Sequence, residues 1–150
     1  MPSTIREQCQ AALFARLQTI SGIAGLSIER NRAQPVESFP TLVQLDADGS
    51  DEKVEDMSGV EWRQTVLRVE GWLEAATPSA LSAAVDELRG KAQKAILGDE
   101  SLGGLAVMVE LPEDASSQDK LLPQTPGAAF SLVVAIDYWI RPGDPWTLGP

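Results

Sequence analysis

Apolar positions along this chain recur at two periods, and the switches between them mark out its elements. Near the start, Ile5, Cys9, Ala12, Leu13, Leu17 and Ile20 fall three or four residues apart, which makes one stripe on a helix. Thr4 followed by Glu7 has the spacing of a capping box, in which each side chain satisfies a free backbone N–H. Ser21-Gly22 and Gly25 end the pattern, so a helix of about 16 residues, roughly 24 Å long, is predicted. A short strand over Leu26 to Arg32 follows, and Pro35 and Pro40 break the path before a second, Thr41 to Asp46. In that second strand Val43 and Leu45 share one face and Leu42 points to the other, so both faces are partly apolar.

The clearest period of two runs from Glu61 to Glu74. Thr65, Leu67, Val69, Gly71 and Leu73 line one face; Trp62, Gln64, Val66, Arg68, Glu70 and Trp72 line the other. Alternation over that length predicts a half-buried strand that projects beyond a small core. Thr77-Pro78 then opens a second helix, with a capping hydroxyl and a proline whose missing N–H costs nothing there. Leu81, Ala84, Val85, Leu88, Ala92, Ala95 and Ile96 hold helical spacing to about Leu97, and Gly98 marks the stop. Gly90 inside it costs about 1 kcal/mol relative to alanine. Gly103-Gly104 turns the chain into a fourth strand, Leu105 to Leu111. Pro112 to Gly127 shows no element, and Ala128 to Arg141 makes a fifth strand, with Phe130, Leu132, Val134, Ile136, Tyr138 and Ile140 on one face.

Helix, three strands, helix, two strands is an α+β order: one mixed, mostly antiparallel sheet of about five strands, with two helices packed on one face. At 150 residues the chain forms a single domain, 1–150. Two segments stand apart from it. The stretch 46–59 holds Asp46, Asp48, Asp51, Glu52, Glu55 and Asp56 against Lys53 alone and reads as a flexible acidic hairpin loop. The end, 142–150, reads as an extended proline-rich tail unsuited to a sheet interior.

Composition excludes most chemistry. The chain has no histidine and one cysteine, so the commonest metal ligand and general base are missing, and zinc sites and Cys/His or Ser/His/Asp catalysis fall with them. Cys9 sits on the apolar stripe and reads as a buried structural thiol. Gly98 to Gly104 carries no phosphate-cradling pattern. Asp46-x-Asp48-x-Ser50 resembles the first ligands of a calcium loop, but Asp51 stands where glycine is needed and Met57 where a bidentate glutamate belongs. No catalytic residue, metal or cofactor is expected. Asp137, inside the last strand, is expected to face outward and pair with Arg68 or Arg63. No apolar run approaches the roughly 20 residues of a bilayer span, and the N-terminus lacks the plan of a signal peptide, so synthesis and retention in a cytoplasm are expected. Trp62, Trp72 and Trp139 lie on the less apolar strand faces, either as rim packing or as a surface covered by another subunit.

A family resemblance runs over nearly the whole chain. Its carriers are the opening Ile5-Arg6-Glu7 helix, Glu29-Arg30-Asn31-Arg32, Phe39-Pro40-Thr41-Leu42-Val43 and Leu67-Arg68-Val69-Glu70-Gly71-Trp72. The alanine-rich helix with Leu102-Gly103-Gly104-Leu105 adds to these, as does Ile136-Asp137-Tyr138-Trp139-Ile140-Arg141 with Gly143-Asp144-Pro145. In this plan the chain resembles the tail terminator (minor tail, tail-completion) proteins of long-tailed bacteriophages and gene transfer agents. The resemblance implies a structural subunit, not an enzyme, that forms a hexameric ring, caps the tail tube, ends its polymerisation and docks head-completion or connector proteins. It implies a place at the tail–neck junction of a virion assembled in a bacterial cytoplasm, with DNA passing through the lumen unbound. Neighbouring neck rings (head-closure or head–tail connector subunits) are the alternative, and a soluble ligand-binding α+β domain is a further one. On this reading Asp51, Glu52, Val54, Glu55, Asp56 and Met57 meet the tail tube or an adjacent subunit, and Trp62, Arg68, Trp72, Trp139 and Trp146 are candidates for the contact between subunits.

Charge makes a prediction independent of family. With 12 Lys and Arg against 22 Asp and Glu, the net charge is −10, and little can neutralise phosphates. Duplex DNA should show no gel retardation by this protein at physiological salt; a micromolar, salt-sensitive dissociation constant would contradict that.

Overall fold

The longest alternations in the sequence become the longest strands. The structure is a computed structural model and describes residues 2–46, 51–57, 59–112, 117–122 and 127–149. In chain order the elements are α1 (Ile5–Leu17), β1 (Ser27–Arg30), β2 (Thr41–Leu45), β3 (Asp51–Met57), β4 (Val60–Glu74), α2 (Pro78–Leu97), β5 (Met108–Glu110), β6 (Ser117–Leu122), β7 (Gly127–Arg141) and β8 (Asp144–Leu148). β4 and β7 pair antiparallel from Glu61 opposite Ile140 to Glu74 opposite Gly127. At about 3.4 Å per residue, each of these 15-residue strands is roughly 50 Å long, well beyond the roughly 30 Å of α2.

One face of this ribbon is the core. Leu67, Val69 and Leu73 from β4 and Phe130, Leu132, Val134, Ile136 and Ile140 from β7 are buried there. They pack with Ile5, Cys9, Leu13 and Leu17 of α1 and Leu81, Val85, Leu88, Ala92 and Ile96 of α2, the positions the helical spacing assigned. Each fully buried Leu or Ile contributes about 1.5–3 kcal/mol of transfer free energy. Burial pushes the Cys9 thiol up to about 12, which leaves almost no thiolate and an inert side chain.

The other strands hang on the two edges of the ribbon. Along β4, β2 covers Arg68 to Trp72 and β3 covers Val60 to Thr65. Along β7, β6 covers Gly127 to Ser131, β5 covers Ala135 to Asp137, and β8 pairs at Ile140 and Arg141. β1 adds parallel to β2, and every other pairing is antiparallel. The sheet is therefore mixed and mostly antiparallel with helices against it, as expected, but the described residues form eight strands where about five were anticipated.

Each added strand corrects an assignment made on polarity. Within 46–59, residues 51–57 are a strand, not a loop, while 47–50 and 58 lie outside the described residues. Ladder hydrogen bonds use backbone groups only, so a polar segment joins an edge when a tight turn delivers it in register; Gly59, at φ +76°, makes that turn. Asp46, assigned to the same loop, is buried. β6 arises inside Pro112–Gly127, of which 113–116 and 123–126 lie outside the described residues. Within the segment 142–150, β8 (Asp144–Leu148) folds back onto β7 as an edge strand, where Pro145 is tolerated, while residue 150 lies outside the described residues. In the other direction, Leu105–Leu111 shrinks to Met108–Glu110, because Asp99 accepts from the N–H groups of Ser101 and Gly103 and holds the chain in turns.

The capping box at Thr4 is only half formed. Thr4 Oγ1 accepts from the Glu7 N–H at 3.2 Å, but the Glu7 carboxylate reaches Arg30 Nη2 at 3.0 Å instead of its own helix end. Arg30 Nε donates to Asp46 Oδ2 at 2.8 Å, and Asn31 Nδ2 and Gln44 Nε2 donate to the same carboxylate at 3.0 and 2.9 Å. Asp46 returns its own N–H to Asn31 Oδ1 at 2.9 Å. Asn31 takes a left-handed φ of 54°, a conformation its short polar side chain tolerates. This network ties α1, β1 and the end of β2 together.

Two glycines give a test of opposite sign. Gly71 sits directly opposite Phe130, and a Cβ there would overlap the Phe130 ring at Cε1 and Cζ. Gly71→Ala should destabilise by about 1–3 kcal/mol through overpacking. Gly90, on α2, has open space around its missing Cβ, so Gly90→Ala should stabilise by about 1 kcal/mol. Urea midpoints of the two variants check both signs.

Candidate interaction site

The face of the ribbon away from the helices carries the side chains singled out by alternation. Trp62 stands opposite Trp139, Gln64 opposite Asp137, Arg68 opposite Val133 and Trp72 opposite Ala129. Trp62, Arg68, Trp72 and Trp139 are all half-buried, so the face is neither a sealed core nor a fully solvated surface. Trp146, in β8, is 52% exposed.

Asp137 is not an outward partner of Arg68 or Arg63. It is buried, 3% exposed, and its carboxylate accepts from Trp62 Nε1 at 3.2 Å and Gln64 Nε2 at 2.8 Å. Two neutral donors on the facing strand satisfy it, so the face locks its own register at that point. Arg63 turns to the other side of the sheet, and Arg68 forms no ion pair among the described residues. Trp72 Nε1 donates to Glu70 Oε2 at 3.3 Å and borders a cleft of about 200 Å³ with Pro35, Val36 and Val43. The Trp139 indole Nε1 is buried and has no hydrogen-bond partner among the described residues.

The acidic strand β3 divides into two populations. Asp51 points to the helix side, where its carboxylate accepts from the Tyr138 hydroxyl at 2.8 Å and from Arg63 Nη2 at 3.3 Å. Burial, and then the hydrogen bond to Asp51, pushes the Tyr138 phenol above its ordinary range, so Tyr138 acts as a donor and keeps its proton. Asp56 pairs with Lys53 at 2.6 Å, and Lys53 also lies 3.5 Å from Glu61. Glu52, Val54, Glu55 and Met57 are exposed, Val54 and Met57 by 49% and 44%. A bulge between Lys53 and Glu55 sets Glu52 opposite Gln64 and Glu55 opposite Trp62, which places both glutamates on the helix-free side.

A second charged surface was not read from the sequence. Arg16, Lys91 and Lys94 line a cleft of about 520 Å³ between the C-terminal ends of α1 and α2, together with Ile20, Ala95 and Gly98. Lys91 Nζ donates to the Ser21 carbonyl at 2.8 Å and Arg16 Nε to the Ala95 carbonyl at 3.3 Å. Gly98 has an ordinary helical φ of −67°; its missing side chain leaves the space that the Arg16 guanidinium fills. The available signal was three cations at helix ends in a chain otherwise dominated by acids. Among the described residues no set of three or more His, Cys, Asp or Glu side chains is arranged to hold a metal, and no helix is long and apolar enough to cross a membrane.

No protein-family model and no curated protein matches this chain. Its fold is similar to that of a chain in the solved virion of a native gene transfer agent particle. The TM-score is 0.61 at 13% identity, over 85% of this chain and 92% of that one.

The split within β3 is measurable. Asp51→Ala removes the acceptor of a largely buried phenol and should cost about 1–3 kcal/mol. Glu52→Ala and Glu55→Ala should each stay within about 0.5 kcal/mol of the parent. Urea denaturation followed by tryptophan fluorescence distinguishes them, and equal effects at all three positions would remove the distinction.

Proposed function

We propose that this chain is a structural protein of a phage-like or gene transfer agent virion, and within it the tail terminator, a ring subunit that caps the tail tube. The observation that carries the reading is the fold shared with a gene transfer agent virion chain over most of both chains. The role is architectural, and three features support it. The half-buried tryptophan face is the kind of surface that a neighbouring subunit covers. The exposed part of β3 offers side chains to a partner without drawing on the core. The acidic balance suits a lumen through which DNA slides without being held. Tail-tube protein on one side and head-completion or connector protein on the other are the proposed partners, with six copies closing the ring.

Deleting the gene in the parent particle tests the assignment. A terminator's loss should give overlong tails unjoined to heads. Tails of normal length that fail only to join heads would assign the chain to a head-closure or connector ring. A particle reconstruction with this chain in single copy, or away from the tube end, would overturn the reading.

A further inference from the structure

A ring of identical subunits with a head-to-tail contact needs two unlike, complementary patches on each copy. In a chain of net charge −10, copies also repel one another at long range, so the contact has to bring opposite signs together locally. We infer that the cationic cleft between α1 and α2 of one copy receives the exposed acidic strand β3 of the next. This rests on the ring reading above and specifies the contact that closes it.

The spacing of the charges agrees. Glu52 and Glu55, opposite Gln64 and Trp62, project from one face of β3 two register steps apart, about 7 Å. Lys91 and Lys94 are three apart on α2, which sets their Cβ atoms about 5–6 Å from each other, and their flexible stems cover the difference. Neither Glu52 nor Glu55 forms an ion pair among the described residues, and Lys94 has no partner there either. Lys91 spends one donor on Ser21 and pairs with Glu87 at 3.3 Å, leaving a further N–H to offer. Apolar groups match as well: the exposed Val54 and Met57 lie next to the acids along β3, and Ile20 and Ala95 line the cleft with the lysines. The cleft is open and about 520 Å³, enough for side chains from a strand without reshaping either helix.

Charge reversal in the full-length chain, expressed in particle-producing cells lacking the native copy, tests the contact. Lys91→Glu with Lys94→Glu should lower particle yield and ring occupancy about tenfold or more, as should Glu52→Lys with Glu55→Lys. A chain carrying both reversals, or the two variants co-expressed so that they alternate around the ring, should recover most of that loss. Thermal midpoints of the purified variants check folding. If Lys91→Glu melts early because it uncaps Ser21, Lys94→Glu with Glu52→Lys repeats the exchange away from that contact. Rings that form normally with either one-sided reversal would overturn this contact and leave the ring reading intact. Failure of the combined reversal to recover assembly would also overturn it, and a wild-type particle with the chain in single copy would overturn both.

Discussion

Everything in this molecule is positioned by the antiparallel pairing of β4 and β7. One register, unbroken from Glu61 opposite Ile140 to Glu74 opposite Gly127, decides which side chains meet the helices and which face away. A slip of one residue would exchange the two sets, placing Arg68 and Asp137 under α1 and α2 and lifting Leu67 and Ile136 out. Two side-chain pairings oppose such a slip from opposite faces. Phe130 lies over Gly71 on the core side, and Asp137 accepts from Trp62 and Gln64 on the other. Neither pairing survives a shift, so packing and polar satisfaction specify the same alignment.

The polar network around Asp46 complements that register at the sheet edge. Its carboxylate accepts from Arg30, Asn31 and Gln44, and Arg30 continues to Glu7 on α1. A buried carboxylate is tolerated because charged and neutral donors together occupy its oxygens. The Glu29-Arg30-Asn31-Arg32 run therefore has a structural job in the fold, with Arg32 bound back to Glu29 at 2.7 Å.

Sequence periodicity revealed the core well. The apolar stripes of both helices and the inward faces of β4 and β7 are buried as the spacing required, and both helices start at the hydroxyl caps that mark them. The polar edge strands β3 and β8 were not legible, for one physical reason. β3 and β8 are held by backbone hydrogen bonds and a turn rather than by apolar burial, so their sequences carry no alternation. Asp137 was misread for a related reason: its donors, Trp62 and Gln64, come from a strand more than sixty residues away, and only the register brings them together. The site was legible in part. Alternation put the tryptophans on one face, but it could not separate Asp51, bound to Tyr138 and Arg63, from Glu52 and Glu55 beside it. The cation cluster at the helix ends depends on how α1 and α2 meet, which no local pattern states.

The interrupted edge along β4 has a consequence for how such a chain can change over generations. Its first half, β2, is committed: Leu42 and Gln44 are fully buried, and substitutions there are answered by the whole core. Its second half is joined to the sheet mainly through its backbone, with Asp51 as the inward anchor and Glu52 to Met57 facing solvent. Selection on foldability is therefore nearly blind to residues 52–57, while the pairing with β4 sets the backbone path that carries them. The chain in effect carries a short rewritable segment on a fixed mount, so recognition can drift and be retuned without the fold being renegotiated each time.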